Sequence, residues 1–179
     1  IAVQNDTVLG LTLKSLANID AKFVFIVQKA HYDEYDLGTR LRLIKPGCEI
    51  VQINGLTEGA ACTILLAEKQ INNDDHLLII NSDNLIIWSR DHLLHMLSSG
   101  IDGGIVVFKA TDPKWSFAKE GADGFVLEVA EKKPISNLAT AGIYHWRKGS
   151  DFVKFAKEMI KKNIRVNNEF YTCPVYNEA

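Results

Sequence analysis

The sequence predicts an α/β domain on a mainly parallel sheet, with an antiparallel addition in its second half. Three observations predict it. Over the first hundred residues, short apolar strands alternate with segments of helical spacing. Those strands are almost continuous apolar runs, the pattern of strands covered on both faces. After Gly103 the rhythm changes to strand-like segments joined by a tight turn.

The elements follow in order. Asp6 can cap a helix over 6–18, with Val8, Leu9, Leu13 and Leu16 on its buried side. Residues 22–28, KFVFIVQ, form the first buried strand. Helical spacing of Tyr32, Tyr35, Leu41 and Ile44 predicts a helix over 31–44, stopped by Pro46-Gly47. A second strand spans 48–53. A loop over 54–58 leads to Gly59, which opens a small-residue helix over 60–67. Residues 72–75, NNDD, make a turn before the third strand, 77–80. Ser89 caps a helix that ends near Gly100. Strands at 105–109, 125–131 and 139–146 form the antiparallel addition, with 121–124 as its tight turn. Ser150 then caps a helix over 151–162, turning Phe152, Phe155, Ala156 and Met159 inward.

At 179 residues the chain suffices for one compact domain, and no internal repeat or linker divides it. With 47% hydrophobic and 23% charged residues it has a soluble composition. A net charge of -2 points neither to nucleic acid nor to an anionic membrane. No apolar run approaches the roughly 20 residues a membrane helix needs. Cys48, Cys62 and Cys173 lie far apart, without zinc spacing, and read as reduced thiols of a cytoplasmic protein. The chain starts on Ile rather than Met and ends in what reads as a helix start, so we expect part of a longer protein.

In open α/β sheets, ligands bind at the carboxyl ends of the strands. The third strand ends in HLLIINSDNLIIW, residues 76–88, where Asp83 is the only acid immediately after the strand. A carboxylate there can hold a hard cation. Mg²⁺ takes one or two protein carboxylates and fills its shell with phosphate and water, so one Asp suffices when a nucleotide brings the rest. On pattern alone, Ser82 and Asp83 read first as turn formers or a helix cap. Asn81 and Asn84 would hold the turn. Gly59 with Ala60 and Ala61 lets a flat ligand or a phosphate approach the backbone, or lets the helix pack tightly on the sheet. Lys132 and Lys133 before Pro134 make a compact cationic point suited to phosphate, or a solvated basic turn. His92 and His95 share a helix face without a third ligand. There is no P-loop, no G-x-G-x-x-G and no G-x-S-x-G.

Taken together, TEGAACT, NSDN, VAEKKPIS, ATAGIY and NEFYTCPVYNE resemble the sugar-phosphate nucleotidyltransferase family, in its capsule and surface-polysaccharide branch. The resemblance covers nearly the whole chain. It implies a GT-A-like fold, a three-layer αβα sandwich on a Rossmann-like sheet. It also implies an enzyme that joins a nucleoside triphosphate to a phosphorylated sugar or polyol and releases pyrophosphate. Asp83 resembles the Mg²⁺-binding Asp, and Lys133 the lysine that holds the acceptor's phosphate. Thr57, Glu58 and Gly59 resemble the base-holding loop, with Ala60 and Ser82 beside the nucleotide. Gly142 resembles a sugar-pocket glycine, and Trp115, Ala118, Glu131 and Lys132 fall at the acceptor side. The partners so implied are small molecules, with no nucleic acid and no membrane; a homo-oligomer stays open.

The sequence departs from the family pattern in three places. The N-terminal glycine-rich triphosphate loop is absent and would lie before Ile1. Lys132 stands where hexose-1-phosphate enzymes often carry Glu, and Ala118 where a Tyr-Gly pair is common. The second metal ligand, often an Asp, has only Asn177 as a counterpart, with Glu169 the nearest acid. Two other readings remain open: a GT-A glycosyltransferase, taking Asn81-Ser82-Asp83 as a variant D-x-D motif, and a non-catalytic nucleotide-binding paralogue.

Overall fold

A computed structural model describes residues 2–3, 6–15, 20–83 and 90–179 of the chain. The α/β class is the one the sequence predicts. A short antiparallel hairpin, β1 (Ala2–Val3) and β2 (Asp6–Thr7), leads into helix α1 (Val8–Ser15). The Thr7 hydroxyl accepts the Gly10 N–H at 2.9 Å. Thr7 therefore caps the helix, and Asp6 belongs to the hairpin instead of the cap. The end expected for this helix, and the cap at Ser89, lie outside the described residues.

Strand β3 (Val24–Gln28) pairs in parallel with β4 (Glu49–Ile53). The single helix expected between them is two, α2 (Lys29–Glu34) and α3 (Leu37–Ile44). Asp36, with φ of 48°, makes the break. Its short polar side chain tolerates the left-handed conformation, which ends the first run. The small-residue helix α4 (Ala60–Leu65) starts after Gly59, and a short α5 (Glu68–Ile71) follows.

Strand β5 (Leu77–Ile80) is followed by α6 (Arg90–Ser98), β6 (Gly103–Lys109), β7 (Ser116–Glu120), β8 (Val126–Glu131) and β9 (Leu138–Trp146). These five strands make one sheet centred on β9, and all their pairings are antiparallel. The antiparallel part thus takes in β5 as well. Strand β7 had no counterpart in the sequence reading: SFAKE is half polar and alternates weakly. Helix α7 (Gly149–Lys161) begins two residues before the expected start, so Ser150 lies in its first turn. Its opening N–H groups, from Gly149 and Ser150, donate to the carbonyls of Asp75 and Asn73 at 2.9 Å each. The 72–75 turn is what caps this helix end. A 3-10 turn over Cys173–Glu178 closes the chain.

Strand β5 shows why the sheet must be covered twice. Leu77 and Ile79 enter a core with Trp146, Phe152, Met159 and Phe170, under α4 and α7. Leu78 and Ile80 enter a second core with Leu13, Phe25 and Leu93, under α1 and α6. Alternate residues of one strand thus feed opposite faces, and the result is a three-layer αβα arrangement. Among the described residues no helix is long and apolar enough to cross a membrane.

One polar pair joins a buried and an exposed imidazole at the strand end away from Asp83. His145 is fully buried, and its Nε2 lies 2.9 Å from His76 Nδ1. Burial first, then the neighbouring His76, pushes the His145 imidazole down to about 4. The unfolded chain holds the extra proton between that value and 6.5, so stability is complete above pH 6.5 and falls as pH drops toward 4. Chemical denaturation across that window should show a loss on the order of 2–3 kcal/mol. His145→Gln should flatten the slope, and an unchanged slope would remove His145 as its cause.

Candidate functional site

The site is set by a bulge in β9. Strand β6 runs along one edge of β9, but one residue of β6, between Ile105 and Val107, faces three of β9, between Tyr144 and Thr140. The surplus is absorbed at Gly142, whose φ of 74° suits glycine. On the other edge of β9, β5 pairs with residues 143–146 and β7 pairs at Ala139. The two strands are nearly collinear and leave a break between them at the bulge. Strand β5 ends at this break with Asn81, Ser82 and Asp83. Strand β7 starts from it with Ser116.

Three segments carry the sequence candidates, the first two of them at the break. The first is the turn after β5. The Asn81 N–H donates to the Gly142 carbonyl at 2.9 Å, which seats the turn on the bulge. Ser82 and Asp83 are exposed beyond it. Asn84 lies outside the described residues.

The second segment is the exit of β8. Glu131 pairs with Ser116 across β7 and β8, and the Ser116 hydroxyl donates to its carboxylate. Burial pushes the Glu131 carboxyl up, against the opposing effect of Ser116. Lys132 takes the left-handed conformation, with φ of 55°, and its N–H donates to the Trp115 carbonyl at 3.0 Å. Its ammonium donates to the Tyr171 hydroxyl at 2.5 Å and lies 4.6 Å from the centre of that ring. The Tyr171 hydroxyl, then burial in opposition, sets the raised value of this ammonium. Lys133 follows and is exposed. Trp115 is half-buried and meets Phe108 edge-on at 5.2 Å.

The third segment is the loop before α4. Thr57 bonds the Gly59 carbonyl at 3.0 Å and the Thr63 hydroxyl at 2.6 Å, which tightens the loop. Gly59 has φ of 129°, and a Cβ there would sit 2.5 Å from the Phe170 backbone N and O. The small residue therefore serves close packing against the 165–171 segment on this side. Ala60 remains exposed at the helix start, and Glu58 is exposed too, paired with Arg165.

Two sequence candidates are placed elsewhere. Asn177, considered as a second metal ligand, uses both amide atoms on Val129: its Oδ1 accepts the N–H at 2.9 Å, and its Nδ2 donates to the carbonyl at 2.8 Å. It completes the outer edge of β8 like a short strand. Ala118 is 2% exposed, inside the main core, with its carbonyl held by Ser136 at 2.7 Å. Contact with a ligand would require the core to open. No group of three or more His, Cys, Asp and Glu side chains suited to a metal occurs among the described residues. His92 and His95 accordingly gain no third ligand there.

Sequence reasoning missed Ser116, Arg165 and Tyr171. Arg165 meets Glu58 across 107 positions, so no local pattern could reveal the pair. Tyr171 stands within a segment already singled out, but nothing in that segment points to Lys132.

No protein-family model matches the chain, and no curated protein matches it. Solved structures do. The chain resembles a nucleoside-diphosphate-sugar pyrophosphorylase from Vibrio cholerae RC9 at 24% identity, with a TM-score of 0.83, covering 99% of this chain and 77% of that one. It resembles a UDP-glucose pyrophosphorylase complexed with UDP-glucose at 15% identity and a TM-score of 0.71, covering 98% and 75%. A putative glucose-1-phosphate thymidylyltransferase from Bacillus anthracis matches at 18% and 0.69, covering 93% and 66%. At these identities the likeness establishes a shared fold.

Two substitutions check the geometry. Asn177→Ala should expose the unpaired Val129 N–H and carbonyl and cost about 1–3 kcal/mol in chemical denaturation. Its divalent-cation affinity should match wild type, and a weakened affinity would restore Asn177 as a ligand. Gly59→Ala should cost about 2 kcal/mol or more, since the left-handed backbone and the Phe170 contact both oppose a Cβ. A neutral result in the same measurement would show that the loop can shift away.

Proposed function

We propose that the protein is a nucleotidyltransferase that joins a nucleoside triphosphate to a phosphorylated sugar or polyol and releases pyrophosphate. The observation that carries this reading is the Asn81–Gly142 bond at the break in the sheet. It seats the Asp83 turn at the break in the sheet, and β7 starts beyond that break with Ser116, which bonds Glu131. The shared fold with nucleotide-sugar pyrophosphorylases supports it. The activated product would serve surface-polysaccharide synthesis, the branch that the motifs resemble, in the cytoplasm where nucleoside triphosphates are made.

In this reading the loop 57–61 receives the nucleotide, with Thr57 holding its shape and Ala60 leaving room for a flat base. Lys133 meets the acceptor's phosphate. An oxygen of that phosphate attacks the α-phosphorus. A new P–O bond forms as the bond to the β-phosphate oxygen breaks, and pyrophosphate leaves with that electron pair. No covalent enzyme intermediate is required, so positioning and charge neutralisation are the protein's main contributions. Lys133 offsets the repulsion between the two anions. Glu131, held by Ser116, and Trp115 line the acceptor side, and Gly142 keeps the floor free of side chain.

Asp83 is an exposed carboxylate, and one carboxylate suffices for a Mg²⁺ whose remaining positions would be taken by phosphate and water. When bound, Mg²⁺ would supply charge neutralisation at the triphosphate, with Asp83 as its protein ligand.

The test is pyrophosphate release by the full-length protein, over all nucleoside triphosphates against phosphorylated sugars and polyols. Asp83→Ala and Lys133→Ala should each lower kcat/KM by about a hundredfold or more. Full activity in either variant would sink that residue's assignment. Release of nucleoside diphosphate from a nucleotide-sugar alone, without pyrophosphate chemistry, would favour a glycosyltransferase instead.

A further inference from the structure

Loop 57–61 and the 131–133 turn, which the proposed function assigns to the two substrates, share no direct hydrogen bond among the described residues. One short segment touches both. It is a tight hairpin of its own: Val166 and Glu169 bond each other's backbones at 3.1 and 2.9 Å. Asn167 and Asn168, at φ of 49° and 64°, form the two-residue left-handed turn between them. Such a turn is stiff, because both central residues are held in a narrow conformational region.

On one side the hairpin grips the nucleotide loop. The Phe170 N–H donates to the Glu58 carbonyl at 2.8 Å, and the Ala61 N–H donates to the Phe170 carbonyl at 3.0 Å. These bonds flank Gly59, where the two backbones approach too closely for any side chain. Arg165 reinforces the grip. Its guanidinium lies 3.9 Å from the Phe170 ring centre and bonds Asn163, the Asn168 carbonyl and Glu58. Its donors are largely used and its plane is fixed.

On the other side, the next residue along, Tyr171, holds the Lys132 ammonium by its hydroxyl and ring face. The backbone alone does not fix the end of a long flexible lysine. Phe170 and Tyr171 are adjacent, so the grip on the loop and the grip on the ammonium are one peptide unit apart.

We infer that the 165–171 segment is a brace, in which Arg165 and Tyr171 are positioning residues that set the nucleotide loop and the Lys132 ammonium at a fixed separation. This rests on the nucleotidyltransferase reading for what the two elements bind. The brace itself is a statement about the fold. In-line attack depends on the relative placement of two substrates, so errors there slow the reaction even where each substrate still binds.

The experiment is a double-mutant cycle on the full-length protein, with hydrogen exchange measured alongside. Tyr171→Phe should raise the acceptor KM about tenfold, the effect of one lost hydrogen bond to a charged group, and leave the nucleotide KM unchanged. In a Lys132→Met background the same change should have no further effect. Arg165→Gln should speed amide exchange in both 57–61 and 131–133 and lower kcat. Arg165→Lys keeps the charge but not the planar stack, and should rescue only in part; it also serves if the Gln variant fails to fold. The brace is overturned if Tyr171→Phe acts equally with Lys132→Met present, or if faster exchange stays within 163–171. A wild-type protein that releases no pyrophosphate from any pair, yet shows coupled exchange, removes the nucleotidyltransferase reading and supports the brace.

Discussion

The bulge at Gly142 is the constraint on which the rest of the site depends. Strand β5 pairs with β9 over 143–146 and stops where the bulge begins. The bulge shifts β9 against β6, and beyond it β7 takes up the edge that β5 leaves. The break puts two polar strand ends against each other. Such ends carry unpaired backbone groups, and one of them is satisfied by the Asn81–Gly142 bond. The same bond fixes where the Asp83 turn emerges.

The C-terminal segment matters for a related reason. Strand β8 is an edge strand, and Asn177 closes part of that edge at Val129. Immediately before it, Phe170, Cys173 and Val175 are buried beneath the sheet and α7. Tyr176 stacks on Trp146 at 4.3 Å and donates to the carbonyls of Gly104 and His145 at 3.1 and 2.8 Å. The hairpin that touches both candidate substrate elements is thus continuous with one of the most firmly anchored parts of the chain. Its position is inherited from the core, and its half-buried arginine, paired with an exposed Glu58, contributes direction more than stability.

What could be read in advance follows from how local each signal is. The β3, β4 and β5 runs are apolar enough to be seen directly, as is the helical face of α7 with Phe152, Phe155 and Met159. Asp83, Gly59 and the lysine pair stand out because their residue types sit at strand or helix ends. Strand β7 was invisible, since SFAKE gains its burial from β8 and β9 and not from its own pattern. The break at Asp36 was missed because one left-handed residue leaves the helical spacing around it intact. Asn177 could not be placed for a plainer reason: an amide offers an oxygen to a cation and to a backbone N–H alike, and the edge strand it bonds is distant in sequence.

The tripeptide Glu131-Lys132-Lys133 shows how three adjacent charges acquire three different fates. In a regular strand, Glu131 and Lys133 would share one face and Lys132 the other. The left-handed conformation of Lys132, which costs about 1–2 kcal/mol, breaks that alternation. Glu131 stays buried against Ser116, and ionising it is costly there. Lys132 swings onto Tyr171, and Lys133 is turned out into solvent ahead of Pro134. Asp83 and Lys133 are both exposed, and no ion pair holds either of them among the described residues. A regular strand would have left the lysines opposed across the sheet. The distorted one presents one cation held by a phenol and another open to solvent.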